Sequence, residues 1–217
     1  MSPTTNPAMS PAGARQRHRR GEGTLLRQEI LEAASRILET SGSEDGVTLR
    51  AIAREIGIAA PSIYNHFPCR EAIVDQLVVD GFDELATMLE AAAAGVTDPV
   101  VRLHAMSRGY LRFAAERPRS YAVVFNHSSL GQGQRQGGSV PVARGLATFD
   151  LLVQAIAACA EAGRSASTDH FADAVAVWVG LHGLATLRAS LPGFPWPQDE
   201  QVVEAIVGRL ARLSGAD

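Results

Sequence analysis

From Thr24 onward, Ile30, Ala34, Ile37 and Leu38 recur at helical spacing with acidic residues between them, which predicts an amphipathic helix ending near Ser41-Gly42. Residues 43–46 read as its polar turn. Two short helices follow. Thr48 is a good N-cap for a segment with Leu49, Ile52, Ala53 and Ile56 at i, i+3, i+4 and i+7, and Gly57 supplies the residue that ends it. Pro61, at the first helical position, opens a second segment whose apolar pair, Ile63 and Phe67, faces inward, and Pro68 forbids its continuation.

The pattern then lengthens. Ile73, Leu77, Phe82, Leu85 and Leu89 predict a helix from Glu71 to about Ala94, ended by Gly95. Asp98-Pro99 is a cap followed by proline, starting a helix through Tyr110 and Phe113 to about Arg117. Pro118 reads as a break, with a short helix from Tyr121 to His127. Residues 128–141 contain four glycines and no buried-face pattern, so they are expected to form an exposed, mobile loop. Three more helices are predicted, Val142 to Gly163, Asp169 to Leu191 and Asp199 to Leu213, with the proline-rich stretch 192–197 as a rigid connector before the last. No strand alternation or internal repeat is visible. The expected fold is all-α, with about nine helices.

Composition agrees with this. The chain has 217 residues, enough for one to two domains, with 46% hydrophobic and only 6% aromatic residues, a mixture suited to helices packed closely on helices. We expect a flexible basic arm over residues 1–23, a small head over 24–70 and a larger body over 71–217. The longest apolar stretch, Ala174 to Leu187, is interrupted by His182 and is shorter than the roughly 20 residues that span a bilayer, so it reads as a buried helix. The first twenty residues lack the apolar core of a signal peptide. Cys69 and Cys159 are widely separated, which argues for neither a disulfide scaffold nor a zinc site. A cytoplasmic setting without membrane contact is expected.

Charge is more informative when divided along the chain. Residues 15–70 carry nine Arg against seven acids, a net +2, whereas 71–217 carry eleven Arg against sixteen acids, a net −5. The basic end is the one to expect on an anionic partner. Its chemistry lies in what the two short helices leave outside. With Ile63 and Phe67 fixed in the core, the second helix presents Ser62, Tyr64, Asn65 and His66, whose polar groups bond phosphates or base edges, and it is short enough to enter a major groove. Arg50 and Arg70 offer phosphate contacts on either side. A second reading has Tyr64 and His66 closing the small core and Asn65 as a solvated amide. The four Arg of the arm are either an unstructured tail or a reach toward DNA.

At these residues the chain resembles the TetR family of bacterial transcriptional regulators. The resemblance is densest from Val47 to Ile73, above all in Tyr64-Asn65-His66-Phe67 followed by Arg70 and Glu71-Ala72, and it extends over residues 24–80. It implies DNA contacts from Thr48 and Arg50, a recognition surface made of Ala60, Pro61, Ser62, Tyr64, Asn65 and His66, and a phosphate contact from Arg70. Two departures stand out. Arg70 takes the place of the Lys usual in the family, and Ala59 stands where the family often has Ser, which puts a capping or phosphate bond in doubt.

The body offers fewer signals. Trp178-Val-Gly-Leu-His182-Gly183 is similar to the Trp, His-Gly signature in the C-terminal domain of one TetR subgroup. Trp178 and His182 share a helix face, and Gly180 and Gly183 permit close approach of another helix. With Tyr110, Phe113, Tyr121, Phe125 and Phe149, they are the candidates for the lining of an effector pocket, and equally for an ordinary aromatic core. His182 is the candidate for one orienting hydrogen bond to a ligand; the competing account is that a backbone carbonyl or a Tyr hydroxyl satisfies it. His104, His127 and His170 lack metal-ligand spacing, and no phosphate loop or Ser/His/Asp arrangement is visible, so neither a metal, a cofactor nor catalysis is expected.

The resemblance implies a homodimer that binds a palindromic operator in double-stranded DNA and releases it when a small, apolar or aromatic effector enters the body. The last two helices are expected to form the dimer, through the run from Ala174 to Gly180 together with Val202, Val203, Ile206, Leu210 and Leu213. The alternative is a constitutive DNA-binding protein with the same head and no effector.

Overall fold

The computed structural model describes residues 22–41, 44–126 and 139–215. Nearly all of the basic arm, the two residues after Ser41, and the glycine-rich stretch with His127 lie outside the described residues. The elements are α1 (Glu22–Ser41), a 3-10 turn (Glu44–Gly46), α2 (Leu49–Ile56), a 3-10 helix (Ala60–Asn65), α3 (Arg70–Ala93), α4 (Pro99–Glu116), α5 (Pro118–Asn126), α6 (Ser139–Glu161), α7 (His170–Ser190) and α8 (Asp199–Leu210). Among the described residues, eight α-helices and the Ala60–Asn65 helix make the nine expected from the pattern. Among the described residues there is no strand, only a single antiparallel bridge between Ser165 and Leu213.

Local chemistry explains most boundaries. The Thr48 hydroxyl accepts from the Ala51 N–H at 3.1 Å, and Gly57 ends α2 in the left-handed region at φ 69°. Asp98 caps α4 by accepting from the N–H groups of Val100 and Val101, which hold its carboxyl below the usual carboxylate range, and Asp169 caps α7 through the Ala172 N–H. Several boundaries differ from expectation. α6 begins at Ser139, three residues inside the stretch read as a loop, and α8 ends at Leu210 rather than Leu213. Pro118 not only stops α4 but opens α5 three residues early, because its fixed φ suits the first helical position. The segment after Pro61 winds as a 3-10 helix, with Ser62 N–H bonded to the Ala59 carbonyl; six residues closed by Pro68 leave little room for i to i+4 bonds.

Two cores result. In the head, Ile30, Ala34, Val47, Ile52, Ile63 and Phe67 are buried against Ile73 and Val74 of α3. In the body, Leu103, Phe113, Ile156, Val177, Val203 and Val207 are fully buried, with Leu85 and Leu89 of α3 joining them. Between the two, Val78 and Phe82 of α3 meet Val123 and Val124 of α5. Helices Val140–Glu161 and His170–Ser190 are long and apolar enough to cross a membrane by length and composition, beyond what the 14-residue run alone had indicated. Each nonetheless sinks a face into the body core, through Ile156 and Cys159 in one and Ala174, Val177 and Leu181 in the other.

That burial changes the expected dimer face. Ala174, Val177 and Val203 are consumed within the chain, and Trp178 points at the body interior, so none is free to meet a partner. The large apolar side chains left exposed on and after these helices are Phe171, Val179, Leu187, Leu191, Phe194 and Leu210. Gly180 does admit a close neighbour, since a Cβ there would stand 2.9 Å from Ile206 Cγ2, whereas Gly183 faces open space.

Helices α3 and α5 touch at Gly81, where a Cβ would stand only 2.6 Å from the Cγ2 of fully buried Val124. Val has one stiff χ1 and no room to turn. Gly81→Ala is therefore expected to lower unfolding free energy in urea by about 1 to 3 kcal/mol, despite the better helix propensity of Ala. A stabilised variant would mean that α5 shifts freely on α3.

Candidate functional site

The head exposes a short polar edge. Ile63 and Phe67 are buried as expected, while Tyr64 is 58% exposed, which overturns its reading as a core residue. Asn65, Pro61, Arg50 and Thr48 are also exposed, and Ser62 and His66 are half-buried. Ala60 packs on the head core and supplies backbone rather than a reaching side chain. The Thr48 hydroxyl, used as a helix cap, keeps its own proton to donate. Ala59 makes no side-chain cap, so the missing bond anticipated from its methyl group is indeed missing. Arg70 braces the site: its Nε–H donates to the Val47 carbonyl at 2.8 Å, tying the start of α3 to the entry of α2. Arg27 lies 4.7 Å over the Phe67 ring and donates to Gln76 Oε1, fixing α1 against the recognition segment.

Behind the head, α3, α6 and α7 enclose an open-ended cavity of about 440 Å³, a size that suits a small organic ligand. Of the expected lining, Tyr110, Phe125, Phe149, Trp178 and His182 are present. Phe113 is not. It is fully buried in the body core, where its ring meets that of Tyr121 with 6.3 Å between centroids. Tyr121 stands just behind the wall. Sequence reasoning missed the rest of the lining, including Phe82, Leu146, Thr148 and Phe171. Phe82 looked like an ordinary core position of its helix, and Phe171 shares a helix face with Val175 and Trp178, a spacing that reads equally as core. The only signal was Gly145, where a Cβ would stand 2.8 Å from Phe82 Cζ, so the glycine leaves space for that ring.

One polar cluster interrupts the apolar wall. His182 Nδ1 lies 2.7 Å from the Tyr121 hydroxyl and 3.1 Å from the Tyr110 hydroxyl, and the two hydroxyls are 3.3 Å apart. The Tyr hydroxyl account of His182 thus holds for one ring nitrogen. Tyr121 stacks on the imidazole at 19°, and the Trp178 ring centroid is 6.1 Å away. Burial holds the imidazole below its ordinary titration range, and burial, followed by the repulsion of two phenolates, pushes the Tyr110 hydroxyl far up. Among the described residues no group of three His, Cys, Asp or Glu is placed to hold a metal ion. Cys69 is exposed, while Cys159 is buried and its thiol is pushed up to about 11 by that burial.

An exposed polar recognition segment on a packed three-helix head, carried by a helical body, defines a helix-turn-helix DNA-binding protein. Residues 30–77 match the family described as "Bacterial regulatory proteins, tetR family", and residues 103–210 match "Tetracyclin repressor-like, C-terminal domain". The chain belongs to the TetR family of bacterial transcriptional regulators. It is 28% identical over 171 residues to the HTH-type transcriptional regulator Rv0681 of Mycobacterium tuberculosis, covering 76% of this chain and 70% of that protein. It is 25% identical over 114 residues to the nucleoid occlusion factor SlmA of Serratia proteamaculans, covering 52% of this chain and only 58% of SlmA. A solved structure of a protein of unknown function from Rhodococcus sp. RHA1 superposes with a TM-score of 0.71 at 31% identity, covering 86% of this chain and 94% of that one.

Two half-buried histidines set a pH dependence. Burial lowers the titration of both His182 and His104, so the folded protein binds fewer protons than the unfolded chain below the ordinary imidazole value of 6.5. Stability therefore rises with pH through this region and levels off above it. The urea midpoint is expected to be lower at pH 5 than at pH 7.5, and the double variant His104→Gln, His182→Gln to show a flatter dependence. An equal slope in both proteins would remove these histidines from the account.

Proposed function

We propose that the protein is a repressor: a homodimer that holds a palindromic operator through two heads and releases it when a small apolar or aromatic molecule fills the cavity. The observation that carries this reading is the course of α3. One helix buries Ile73 and Val74 in the head core and presents Phe82, Leu85 and Leu89 to the cavity, so a change in the wall is a change in the support of the head. In this reading residues 24–70 contact DNA and residues 71–217 bind the effector and dimerise. The outward Val179, Leu187, Leu191 and Leu210 support an interface on α7 and α8. The cavity placement of Trp178 and His182, followed by Gly183, supports membership of the Trp, His-Gly subgroup.

Base reading falls to Tyr64 and Asn65, whose side chains are exposed, with Ser62, His66, Pro61 and the Ala60 backbone alongside. Arg50 and Thr48 hold phosphates, and Arg70 acts on the same backbone while bracing α2. Using an operator selected from a random duplex pool, Tyr64→Ala and Asn65→Ala are each expected to lower affinity by about 1 to 3 kcal/mol with unchanged melting, and saturation at two chains per site. Equal loss on operator and random DNA would end the base-reading role; one chain per site would end the dimer. Operator affinity indifferent to any cavity ligand that demonstrably binds would favour the constitutive reading.

A second strut joins body to head. Arg119 of α5 pairs with Glu39 of α1 at 2.8 Å, two residues before Tyr121, while Glu84 of α3 holds Arg117 and Ser120 at the start of the same helix. Exposed pairs contribute about 0.2 to 1 kcal/mol. Arg119→Ala is therefore expected to reduce the ligand-induced drop in operator affinity by no more than about fivefold, leaving ligand affinity itself unchanged, as read by anisotropy titrations with and without ligand. An unaltered drop would show that α5 does not act through Glu39.

A further inference from the structure

The cavity lining is largely apolar, its polar side chains being Tyr110, Thr148, Trp178 and His182, and the protons around the His182 ring can be assigned. An unprotonated Nδ1 has one in-plane lone pair, which takes the nearer hydroxyl, Tyr121 at 2.7 Å. Tyr110 then donates to Tyr121 Oη at 3.3 Å or shares Nδ1 at 3.1 Å, and every proton of the cluster has an acceptor. The distances favour this tautomer. An N–H donor usually stands about 2.9 to 3.0 Å from an oxygen and an O–H donor about 2.7 to 2.8 Å from its acceptor, so the short contact of Tyr121 with Nδ1 suits the hydroxyl as donor. The second hydroxyl, that of almost wholly buried Tyr110, converges on the same nitrogen.

The proton therefore belongs on Nε2, the ring nitrogen that no described residue engages, on a side chain that lines the cavity. A donor is thus offered to the ligand, and the aromatic stack of Tyr121 against the imidazole, with Phe125 on its edge, holds it in place. No Arg, Asp or Glu belongs to the described lining. The Thr148 hydroxyl, which also belongs to it, already donates to the Arg144 carbonyl at 3.0 Å. An anion entering here would exchange its hydration for a few neutral donors and no cation, which is unfavourable, whereas a neutral oxygen acceptor gives up far less.

Resting on the effector reading of the cavity, we infer that the ligand class is an uncharged carbonyl compound, such as a ketone, ester or lactone, with an alkyl or aryl arm, its oxygen accepting from His182 Nε2–H. Three probes with one carbon skeleton test this: valerophenone, pentylbenzene and 5-phenylpentanoate, with dissociation constants measured by equilibrium dialysis. The ketone is expected to bind about tenfold more tightly than either of the others, the worth of one hydrogen bond made in an apolar cavity. In His182→Phe the ketone and the hydrocarbon are expected to bind alike. Independently of any variant, long-range proton–nitrogen correlation spectra of histidine-labelled wild-type protein are expected to show His182 protonated at Nε2 alone.

The outcomes separate two failures. Binding of all three probes with pentylbenzene equal to valerophenone overturns the carbonyl assignment and leaves the effector cavity standing. So does tightest binding by 5-phenylpentanoate, or a resonance pattern with the proton on Nδ1. Exclusion of all three probes overturns the effector reading and this inference with it.

Discussion

Because Ile73 and Val74 lie in the head core and Leu85, Leu89 and Ala93 in the body core, the 24 residues of α3 must keep one helical register in two separate packings. A rotation of α3 that improved one would expose the other, since buried side chains in both sit within interiors that tolerate little change of shape. Everything else is arranged around that shared helix. Arg70 fixes its start to Val47, Arg27 and Gln76 fix its first turns to α1, and Gly81 brings α5 against its middle. The recognition segment hangs from the same frame: Ile63 and Phe67 anchor it, and the short 3-10 winding between Pro61 and Pro68 pushes Tyr64 and Asn65 outward.

What could be read in the sequence was what local chemistry decides. Thr48, Gly57, Asp98 and Asp169 act through bonds to backbone groups two to four residues away, so their roles follow from the order of residues alone. Pro118 shows the limit of such signals. The residue that denies α4 its last bond is also an ideal first residue for α5, and only the packing of Val123 and Val124 on α3 decides that a helix begins there at once. The winding of residues 60–65 was equally out of reach, because a six-residue segment between prolines offers too little periodicity to separate 3.0 from 3.6 residues per turn.

The candidate cavity was half legible for a different reason. Aromatic residues on neighbouring helices announce a region, but whether a ring lines a space or fills one depends on which helix stands opposite. Phe113 and Phe125 illustrate this: both are Phe on adjacent helices, yet the first is fully buried in the body core and the second lines the cavity. Tyr110, Tyr121 and His182 converge from three helices, 11 and 61 residues apart along the chain, which no spacing rule connects. The Trp178 and His182 pair was visible because both lie on one face of α7.

Size of effect decides how a cavity ligand would reach the DNA in the proposed mechanism. A ligand shifts an equilibrium only by its differential affinity for two arrangements, typically 1 to 3 kcal/mol for a regulator of this kind. The ion pair of Arg119 with Glu39, which joins α5 to the head, has an exposed Arg and a half-buried Glu and is worth about 1 kcal/mol, as is the exposed pair of Arg117 with Glu84 beside it. The apolar contact of Val78 and Phe82 with Val123 and Val124 is almost wholly buried, and full burial of one such side chain is worth about 1.5 to 3 kcal/mol. Phe82 belongs both to that contact and to the cavity wall, with Gly145 leaving its ring the space it occupies. A ligand that displaces the Phe82 ring must therefore disturb the seam between α3 and α5, and the ion pairs at its ends serve to transmit the resulting tilt rather than to supply its energy.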